Sequence, residues 1–219
     1  MITAEMLFRL LQKMDKEATP RIEVDGVWRT GLCWYFGHER RNIDWPKRDD
    51  SERSWCRRLV QILPGEHEVK SAVVDHPYPD GSGYTDIMAE IDSGGAHWLE
   101  VKGAWTAQCQ HVPCRKNRNL AKHLTGQKES LANDFVKMAR LTRSHARYLG
   151  ILLVGFEVLG VPGFLIPENL IDQVRVCNRV RENGWVEKVS SWPAYRQDMI
   201  QGRTNENFQV RCWYWQREV

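Results

Sequence analysis

Apolar side chains recur every three or four positions in four parts of the chain, the spacing that places them on one face of a helix. The first part covers residues 1–16, where Thr3 is placed to cap the helix. The others cover residues 50–63, 125–142 and 167–183. The residues expected on the inward faces are Leu7, Leu10, Leu11 and Met14; Trp55, Leu59, Ile62 and Leu63; Leu131, Phe135 and Met138; and Leu170, Ile171, Val174, Cys177 and Val180. The pattern therefore predicts four amphipathic helices.

Strands are predicted from shorter apolar runs. Residues 21–30 form a small hairpin around Asp25-Gly26, and residues 68–74, 84–91 and 97–103 form three consecutive strands. Residues 149–158 are nearly all apolar, as in a strand covered on both faces. Residues 208–215 alternate and predict a late strand, whereas the charged residues 37–50 predict an irregular connection.

The order of these elements predicts the fold class. From residue 50 to residue 158 the chain runs through helix, three strands, helix and strand, which predicts an α/β core with a central mixed sheet flanked by helices. Residues 1–49 would form an N-terminal helix and hairpin extension, and residues 159–219 a C-terminal helix and strand extension packed on the core. A chain of 219 residues is long enough for one sizeable core with a modest appendage.

The amino-acid composition excludes few classes of function. The chain is 42% hydrophobic and 27% charged with a net charge of +3, which is ordinary for a globular protein and does not by itself indicate nucleic acid. Six cysteines without a secreted-type framework favour reduced thiols in a cytoplasmic protein. Residues 148–166 contain one charge, but four glycines and Pro162 favour strand, turn and strand over a membrane span.

The segment 84–105 carries the strongest indication of chemistry. Two apolar stretches flank the turn-forming residues 92–95, which predicts a tight hairpin. Glu100 and Lys102 then share one strand face while Val101 points into the core, and counting back through the turn places Asp86 opposite or diagonal to Glu100. Two carboxylates and an amine at one place on a sheet suit the binding of a divalent metal and the activation of water.

A second Glu-x-Lys tripeptide, Glu68-Val69-Lys70, serves as a comparison. It follows a helix directly and has no carboxylate on a preceding strand. A solvated face of an edge strand is therefore the expected role of this copy.

Asp86 on the second core strand, Glu100-Val101-Lys102 on the third, and the order of helices and strands around them resemble the PD-(D/E)xK nuclease superfamily over residues 50–158. One departure is Thr85, which stands where the motif has proline. Pro79-Asp80 supplies a literal Pro-Asp pair, but it lies in a turn-rich loop. Asp86 is therefore the preferred acid.

The resemblance implies a restriction-endonuclease-like fold and a nuclease that uses Mg²⁺, with Mn²⁺ able to substitute. Asp86, Glu100 and the Val101 carbonyl would hold the metal, and Lys102 would orient the attacking water. The superfamily often places an acid on the first core helix, where Glu52 fits. A cap or helix-dipole role explains Glu52 equally well, and Glu39, in the irregular segment, is a weaker alternative.

Positive charge is concentrated directly after this hairpin. Five cations occur within fourteen residues that contain no acid, and they are Arg115, Lys116, Arg118, Lys122 and Lys128. Arg53, Arg57 and Arg58 add charge on the first core helix. These side chains are expected to contact phosphates, and Gln127 and Lys128, predicted on the helix that follows, could reach the scissile phosphate. For Gln127 and Lys128, an ordinary polar helix face is the favoured alternative.

Two further patterns lie in the same region. Trp105 and His111 could stack on bases. Cys109, His111, Cys114 and His123 match no well-formed zinc-finger spacing, so an incidental cluster is favoured over a zinc site.

These residues predict a metal-dependent nuclease that acts on DNA, with RNA and a homodimer left open and no membrane partner. One competitor is a catalytically inactive nucleic-acid-binding or scaffold domain of the same fold. The presence of Asp86, Glu100 and Lys102 together argues against it. The other is a metal-dependent hydrolase of small phosphorylated substrates, which would not need so long a basic stretch.

Overall fold

The computed structural model describes residues 1–17, 22–24, 27–29, 51–108, 115–160, 163–194, 199–200, 203–204 and 208–219. The predicted irregular connection 37–50, the Asp25-Gly26 turn and Glu39 lie outside these residues.

Five helices follow one another in the described parts of the chain. They are α1 (Ala4–Glu17), α2 (Ser51–Ile62), which continues into a 3₁₀ turn at Leu63–Gly65, α3 (Leu120–Thr125), α4 (Leu131–Met138) and α5 (Glu168–Cys177). The predicted cap of α1 is confirmed, because the Met6 N–H donates to the Thr3 hydroxyl at 3.2 Å.

The strands, in chain order, are β1 (Ile22–Val24), β2 (Val27–Arg29), β3 (Val69–Pro77), β4 (Tyr84–Ile91), β5 (Ala96–Trp105), β6 (Ala107–Gln108), β7 (Arg115–Lys116), β8 (Tyr148–Val158), β9 (Val186–Pro193), β10 (Met199–Ile200), β11 (Arg203–Thr204) and β12 (Phe208–Glu218). Six of them form the main sheet in the order β3-β4-β5-β8-β12-β9. Only the β5–β8 pair in this sheet is parallel. The predicted mixed sheet is therefore confirmed. A smaller sheet, β1-β2-β10-β11, contains the predicted hairpin.

Helices cover both faces of the main sheet, and β8 shows how the two layers are built. Leu152, Val154 and Phe156 belong to one buried cluster with α1 and α2, whereas Ile151 and Leu153 belong to a second cluster with α3, α4 and α5. Alternate side chains of a strand point to opposite faces. The nearly continuous apolar run predicted as a doubly covered strand is this strand, and the prediction is confirmed.

The C-terminal segment enters the middle of the sheet. Strand β12 pairs with β8 along its whole length and with β9 on its other side, and Trp213 and Trp215 are fully buried. The sheet therefore continues across the boundary predicted between residues 158 and 159. Helix α1 likewise packs into the first cluster through Leu7 and Leu11, which are 0% exposed.

The helix predicted over residues 125–142 is wrong in extent. Helix α3 ends at Thr125, where the predicted helix begins, and only α4 lies within the predicted range. In the turn between them Gly126 is extended, and the Ser130 hydroxyl caps α4 by accepting from the Asn133 N–H. The inward face of α4 is as predicted, since Leu131, Phe135 and Met138 are buried. A glycine followed by a serine cap ends one helix and starts another although the apolar spacing continues.

The helix predicted over residues 167–183 is also too long, since α5 ends at Cys177. The Asn178 side chain donates to the Val174 carbonyl, and Arg179 adopts a φ of 45°. Both features end the helix, so Cys177 is exposed and not inward as predicted.

In the part of the chain that the structure describes, no helix has the length and apolar character needed to cross a membrane. The apolar residues 148–158 are strand β8.

A buried histidine ties the N-terminus to the sheet. His97 on β5 is 0% exposed, its Nδ1 accepts from the Ile2 N–H at 3.1 Å, and its Nε2 lies 3.0 Å from the Tyr214 hydroxyl. The Tyr214 hydroxyl donates in turn to the Ile2 carbonyl. A side chain at Gly150 would place its Cβ 2.6 Å from that hydroxyl, so the network requires glycine there. Burial and the N-terminal ammonium lower the pKa of His97 to about 3.

We expect this histidine to make folding sensitive to acid. The unfolded histidine has an ordinary pKa near 6.5, so the neutral network contributes fully above that pH and is lost as pH falls towards 3. Between pH 6 and 5 this group should lower the free energy of unfolding by about 1.4 kcal/mol per pH unit. Urea unfolding of the wild type and of His97→Gln measures the slope, which should flatten in the variant. The exposed His67→Gln should keep the wild-type slope, and an equal slope in all three proteins would contradict the assignment.

Candidate functional site

Strands β4 and β5 separate at the position where the predicted residues meet. Their ladder runs from Glu90 opposite Ala96 to Ile87 opposite Leu99, whereas β4 stays paired with β3 as far as Tyr84 and β5 with β8 as far as Trp105. An opening is thus left inside the sheet, between residues 84–86 and 100–105. The next positions in register are Asp86 and Glu100, as the hairpin predicts.

The hairpin turn fixes this register. Gly94 and Gly95 have φ angles of 85° and 90°, which residues with a side chain rarely adopt, and the Gly94 N–H donates to the Ile91 carbonyl. Since a slip of one residue would move every side chain to the other face, the two glycines also decide which side chains face the opening.

Where β4 no longer pairs with β5, side chains form hydrogen bonds with the backbone groups of β5. The Thr85 hydroxyl donates to the Leu99 carbonyl at 3.1 Å, and the Val101 N–H donates to Asp86 Oδ2 at 2.7 Å. The Gly103 N–H donates to Glu52 Oε1 at 2.7 Å. Asp86 and Glu52 are therefore held in place by the backbone of the same strand that carries Glu100 and Lys102.

The alternation along β5 separates the charged residues from the apolar ones. Val101 is 0% exposed in the cluster with α1 and α2, while Glu100 and Lys102 lie on the opposite face with Trp98 and Ala104. Glu100 is buried at 3% exposure, and the side chain of Lys102 is 13% exposed. The site is thus partly open to solvent, with the side chain of Glu52 at 20% exposure.

Asp86 and Glu100 face each other across the opening, where each carboxyl acts on the pKa of the other. Burial raises the pKa of Asp86, although the Val101 N–H opposes this. Burial and the neighbouring Asp86 and Asp134 raise the pKa of Glu100 well above its ordinary value. The hydroxyl of Tyr78 donates to Glu100 Oε1. Glu100 is buried and Asp86 is half-buried, so a shared proton or a cation would relieve the repulsion between the two carboxyls.

Lys102 occupies the side of this pair that faces Glu52 and Asp134. Its amine lies 3.6 Å from Glu52 Oε2 and 3.7 Å from Asp134 Oδ2. Burial acts to lower the pKa of Lys102, but Glu52, Asp134 and the carboxyl pair together raise it. The side chain is thus an ammonium ion at neutral pH and acts as a fixed positive charge and hydrogen-bond donor, not as a base.

Three residues of the site were not predicted from the sequence. Asp134 on α4 is 0% exposed, Lys137 one turn later lies 2.9 Å from Asp134 Oδ1 and 4.0 Å from Glu100 Oε1, and Tyr78 follows β3. The sequence carried a signal for Asp134, because it falls three residues after Leu131 and four before Met138. An acid on the inward stripe of an amphipathic helix is costly unless it is paired.

Two sequence features competed with Asp86 and Glu100-Val101-Lys102, namely Asp80 and the tripeptide Glu68-Val69-Lys70. Both lie away from the site. Asp80 is exposed and accepts from the Ser82 N–H at 2.9 Å within its own loop. Glu68 binds the N-terminal amine of Met1 at 2.6 Å, and Lys70 is exposed on the edge strand. The second Glu-x-Lys tripeptide therefore meets none of the residues around Asp86.

The predicted phosphate contacts are on the surface beside the site. Arg118, Lys122, Gln127 and Lys128 are exposed, but Gln127 and Lys128 lie in the turn between α3 and α4 and not on a helix as predicted. Burial, Lys102 and Lys122 lower the pKa of His123 on α3, which places this helix within the electrostatic reach of the site.

Other predicted contacts are only partly described. The backbones of Arg115 and Lys116 form β7, and the backbone of Trp105 ends β5. Cys109, His111 and Cys114 lie outside the described residues. Arg53 on α2 pairs with Asp75 at 2.6 Å.

The donors at the opening suit a hard cation, although they do not form a complete cage. Among the described residues, no three histidine, cysteine, aspartate or glutamate side chains are arranged to hold a metal ion. Two carboxyls, Asp86 and Glu100, and the Val101 carbonyl, which shares a strand edge with the N–H bound to Asp86, are all oxygen donors. Mg²⁺ commonly takes one or two protein carboxylates and fills its other positions with water and substrate phosphate. The residues present therefore fit Mg²⁺.

Comparison with protein-family models, with curated proteins and with solved structures found no match to this chain.

Replacing Glu100 by glutamine should stabilise the protein. The unfolded glutamate ionises above its ordinary pKa of 4.5, whereas burial and two acidic neighbours oppose ionisation in the folded state, so the cost of Glu100 grows as pH rises. Glutamine keeps the acceptor for Tyr78 without the charge. We expect Glu100→Gln to raise the Tm by about 2–4 °C at pH 8 in EDTA, equivalent to about 1 kcal/mol. Circular dichroism melts measure this.

Glu90→Gln is the matched control, because Glu90 is exposed on the neighbouring strand and should change the Tm by much less. A Tm that falls by several degrees in Glu100→Gln would show that the ion pair with Lys137 outweighs the repulsion.

Proposed function

We propose that this protein is a Mg²⁺-dependent nuclease of the PD-(D/E)xK type that hydrolyses phosphodiester bonds in DNA. The facing positions of Asp86 and Glu100 at the opening, with the Lys102 ammonium on the next position of the same strand face, carry this proposal. The helices on both faces of the mixed sheet are compatible with a restriction-endonuclease-like core.

The charge balance of the site favours a divalent cation. Four carboxyl groups, those of Glu52, Asp86, Glu100 and Asp134, surround the ammonium groups of Lys102 and Lys137. Two negative charges would remain when all six groups are ionised. Uncompensated charge in a buried site is costly, and a bound Mg²⁺ would remove this cost.

Bound Mg²⁺ would lower the pKa of a coordinated water and shield negative charge on a phosphate. Asp86 and Glu100, together with the Val101 carbonyl, would hold it. Lys102 would donate hydrogen bonds to the attacking water and to a phosphate oxygen, because its ammonium form is fixed by the surrounding carboxylates. Glu52 would keep that amine in place while bound to the Gly103 N–H.

The surface beside the site supports a polymeric substrate. Arg118, Lys122 and Lys128 are exposed on α3 and its flanking turns, and α3 packs against β5. A row of cations next to the opening can follow successive phosphates of a nucleic acid, which a small phosphorylated substrate would not need.

Cleavage assays test the activity directly. Linear, circular and single-stranded DNA and RNA are incubated with Mg²⁺, Mn²⁺ or EDTA. We expect the wild type to cut DNA only with metal, and Asp86→Asn and Lys102→Ala each to lower the rate on the order of 100-fold, as loss of a metal ligand or of a charge-stabilising donor does. The assay measures product per minute on gels.

Lys70→Ala is the control, because it removes the lysine of the second Glu-x-Lys tripeptide and should leave cleavage unchanged. Cleavage that survives in both site variants would refute the site. A wild type that binds DNA without cutting it would favour a binding or scaffold role.

The basic surface should set affinity and not rate. We expect Lys122→Ala combined with Lys128→Ala to raise the Kd for double-stranded DNA and to reduce the slope of log K against log salt by about 0.9 for each phosphate contact that is lost. Fluorescence anisotropy over a range of salt concentrations measures both. Lys188→Ala on β9, at the far edge of the sheet, should bind like the wild type. An unchanged salt slope in the double variant would place the nucleic acid elsewhere.

A further inference from the structure

Asp134 is a fully buried acid that the proposed metal site does not use. Its Oδ1 accepts a hydrogen bond from the Lys137 amine at 2.9 Å. Its Oδ2 lies 3.7 Å from the Lys102 amine and has no hydrogen-bond partner among the residues that the structure describes. One carboxylate thus stands between two amines that come from different elements, β5 and α4.

Burying the carboxylate of Asp134 costs folding free energy. It lies among Leu131, Phe135 and Met138 on the buried face of α4, where an apolar side chain would pack without charge. Proximity to the N-terminus of α4 favours an acid, but an exposed position in the same turn would give that benefit without burial. The contacts with Lys102 and Lys137 are what distinguish the buried position.

Lys137 is placed to act at the carboxyl pair. Its amine lies 4.0 Å from Glu100 Oε1, and its side chain is 30% exposed, so the amine borders both the buried acids and solvent. Lys102, at 13% side-chain exposure, borders the same acids from the sheet. A phosphate that approaches Asp86 and Glu100 would therefore meet an ammonium group on each of two sides.

We infer that Asp134 is a positioning residue that holds Lys102 and Lys137 at the Asp86–Glu100 pair, and that Lys137 is a second ammonium group which contacts the substrate phosphate. This inference rests on the proposed nuclease function. It assigns to α4 a direct part in the site through Asp134 and Lys137, neither of which the sequence analysis singled out.

The test compares Asp134→Asn with Asp172→Asn. Asp172 on α5 forms the same kind of i,i+3 pair, with Arg175 at 2.7 Å, but its side chain is 60% exposed. Asparagine keeps the size of the residue and removes the charge that holds the amines. We expect Asp134→Asn to lower kcat for DNA cleavage at least tenfold with KM within threefold, and Asp172→Asn to behave as the wild type.

A second measurement does not depend on activity. Reductive methylation followed by mass spectrometry gives the labelling rate of each lysine amine. Lys102 and Lys137 should label more slowly than the exposed Lys70 in the wild type, and at least threefold faster in Asp134→Asn than in the wild type. Unchanged labelling of both amines, or a folded Asp134→Asn with kcat within threefold of the wild type, would overturn the inference.

Lys137 variants keep the test decisive if Asp134→Asn does not fold, because Lys137 is partly exposed. Lys137→Met should lower kcat at least tenfold, and Lys137→Arg should restore part of that loss, whereas equal activity of the two variants would overturn the role of the second ammonium. A wild type that cuts no nucleic acid, while labelling rises in Asp134→Asn, would refute the nuclease function and leave the anchoring of the amines in place.

Discussion

Two N–H groups of β5, those of Val101 and Gly103, lose a strand partner where β4 turns away, and the carboxylates of Asp86 and Glu52 replace it. A buried backbone N–H without an acceptor is costly, so the opening in the sheet can exist only with acceptors in these places. The same two carboxylates then lie beside Glu100 and Lys102. The divergence of two strands therefore creates both the space for a site and the need for acids around it.

The electrostatic consequences of this arrangement extend through the sheet. Cys56 on α2 lies on the opposite face, and burial together with Asp86, Glu52 and Glu100 raises the pKa of its thiol well above the ordinary value. It therefore remains a neutral thiol in the α1–α2 cluster.

The parts of this arrangement that follow from local pattern could be predicted, and those that depend on packing between layers could not. Asp86 opposite Glu100 follows from a tight turn and a period of two, both visible in the sequence. The exposed, mixed pattern of β9 at the sheet edge gave no clear strand signal. The central place of β12 depends on pairing with distant strands. Glu52 could be proposed from its helix, but its bond to Gly103 depends on how α2 sits on the sheet.

The two Glu-x-Lys tripeptides show how little such a motif determines alone. Glu100-Val101-Lys102 lies within β5, whereas Val69 and Lys70 begin β3 and Glu68 lies in the turn before it; the central valine is buried in both. Around Glu68 and Lys70 there is solvent and the chain terminus, and Glu68 satisfies its charge with the Met1 amine. Around Glu100 and Lys102 there are carboxyls from a neighbouring strand, from α2 and from α4. Because the neighbours of Glu68 lower its pKa and those of Glu100 raise its pKa, the surroundings of each glutamate, and not the tripeptide that contains it, decide its protonation.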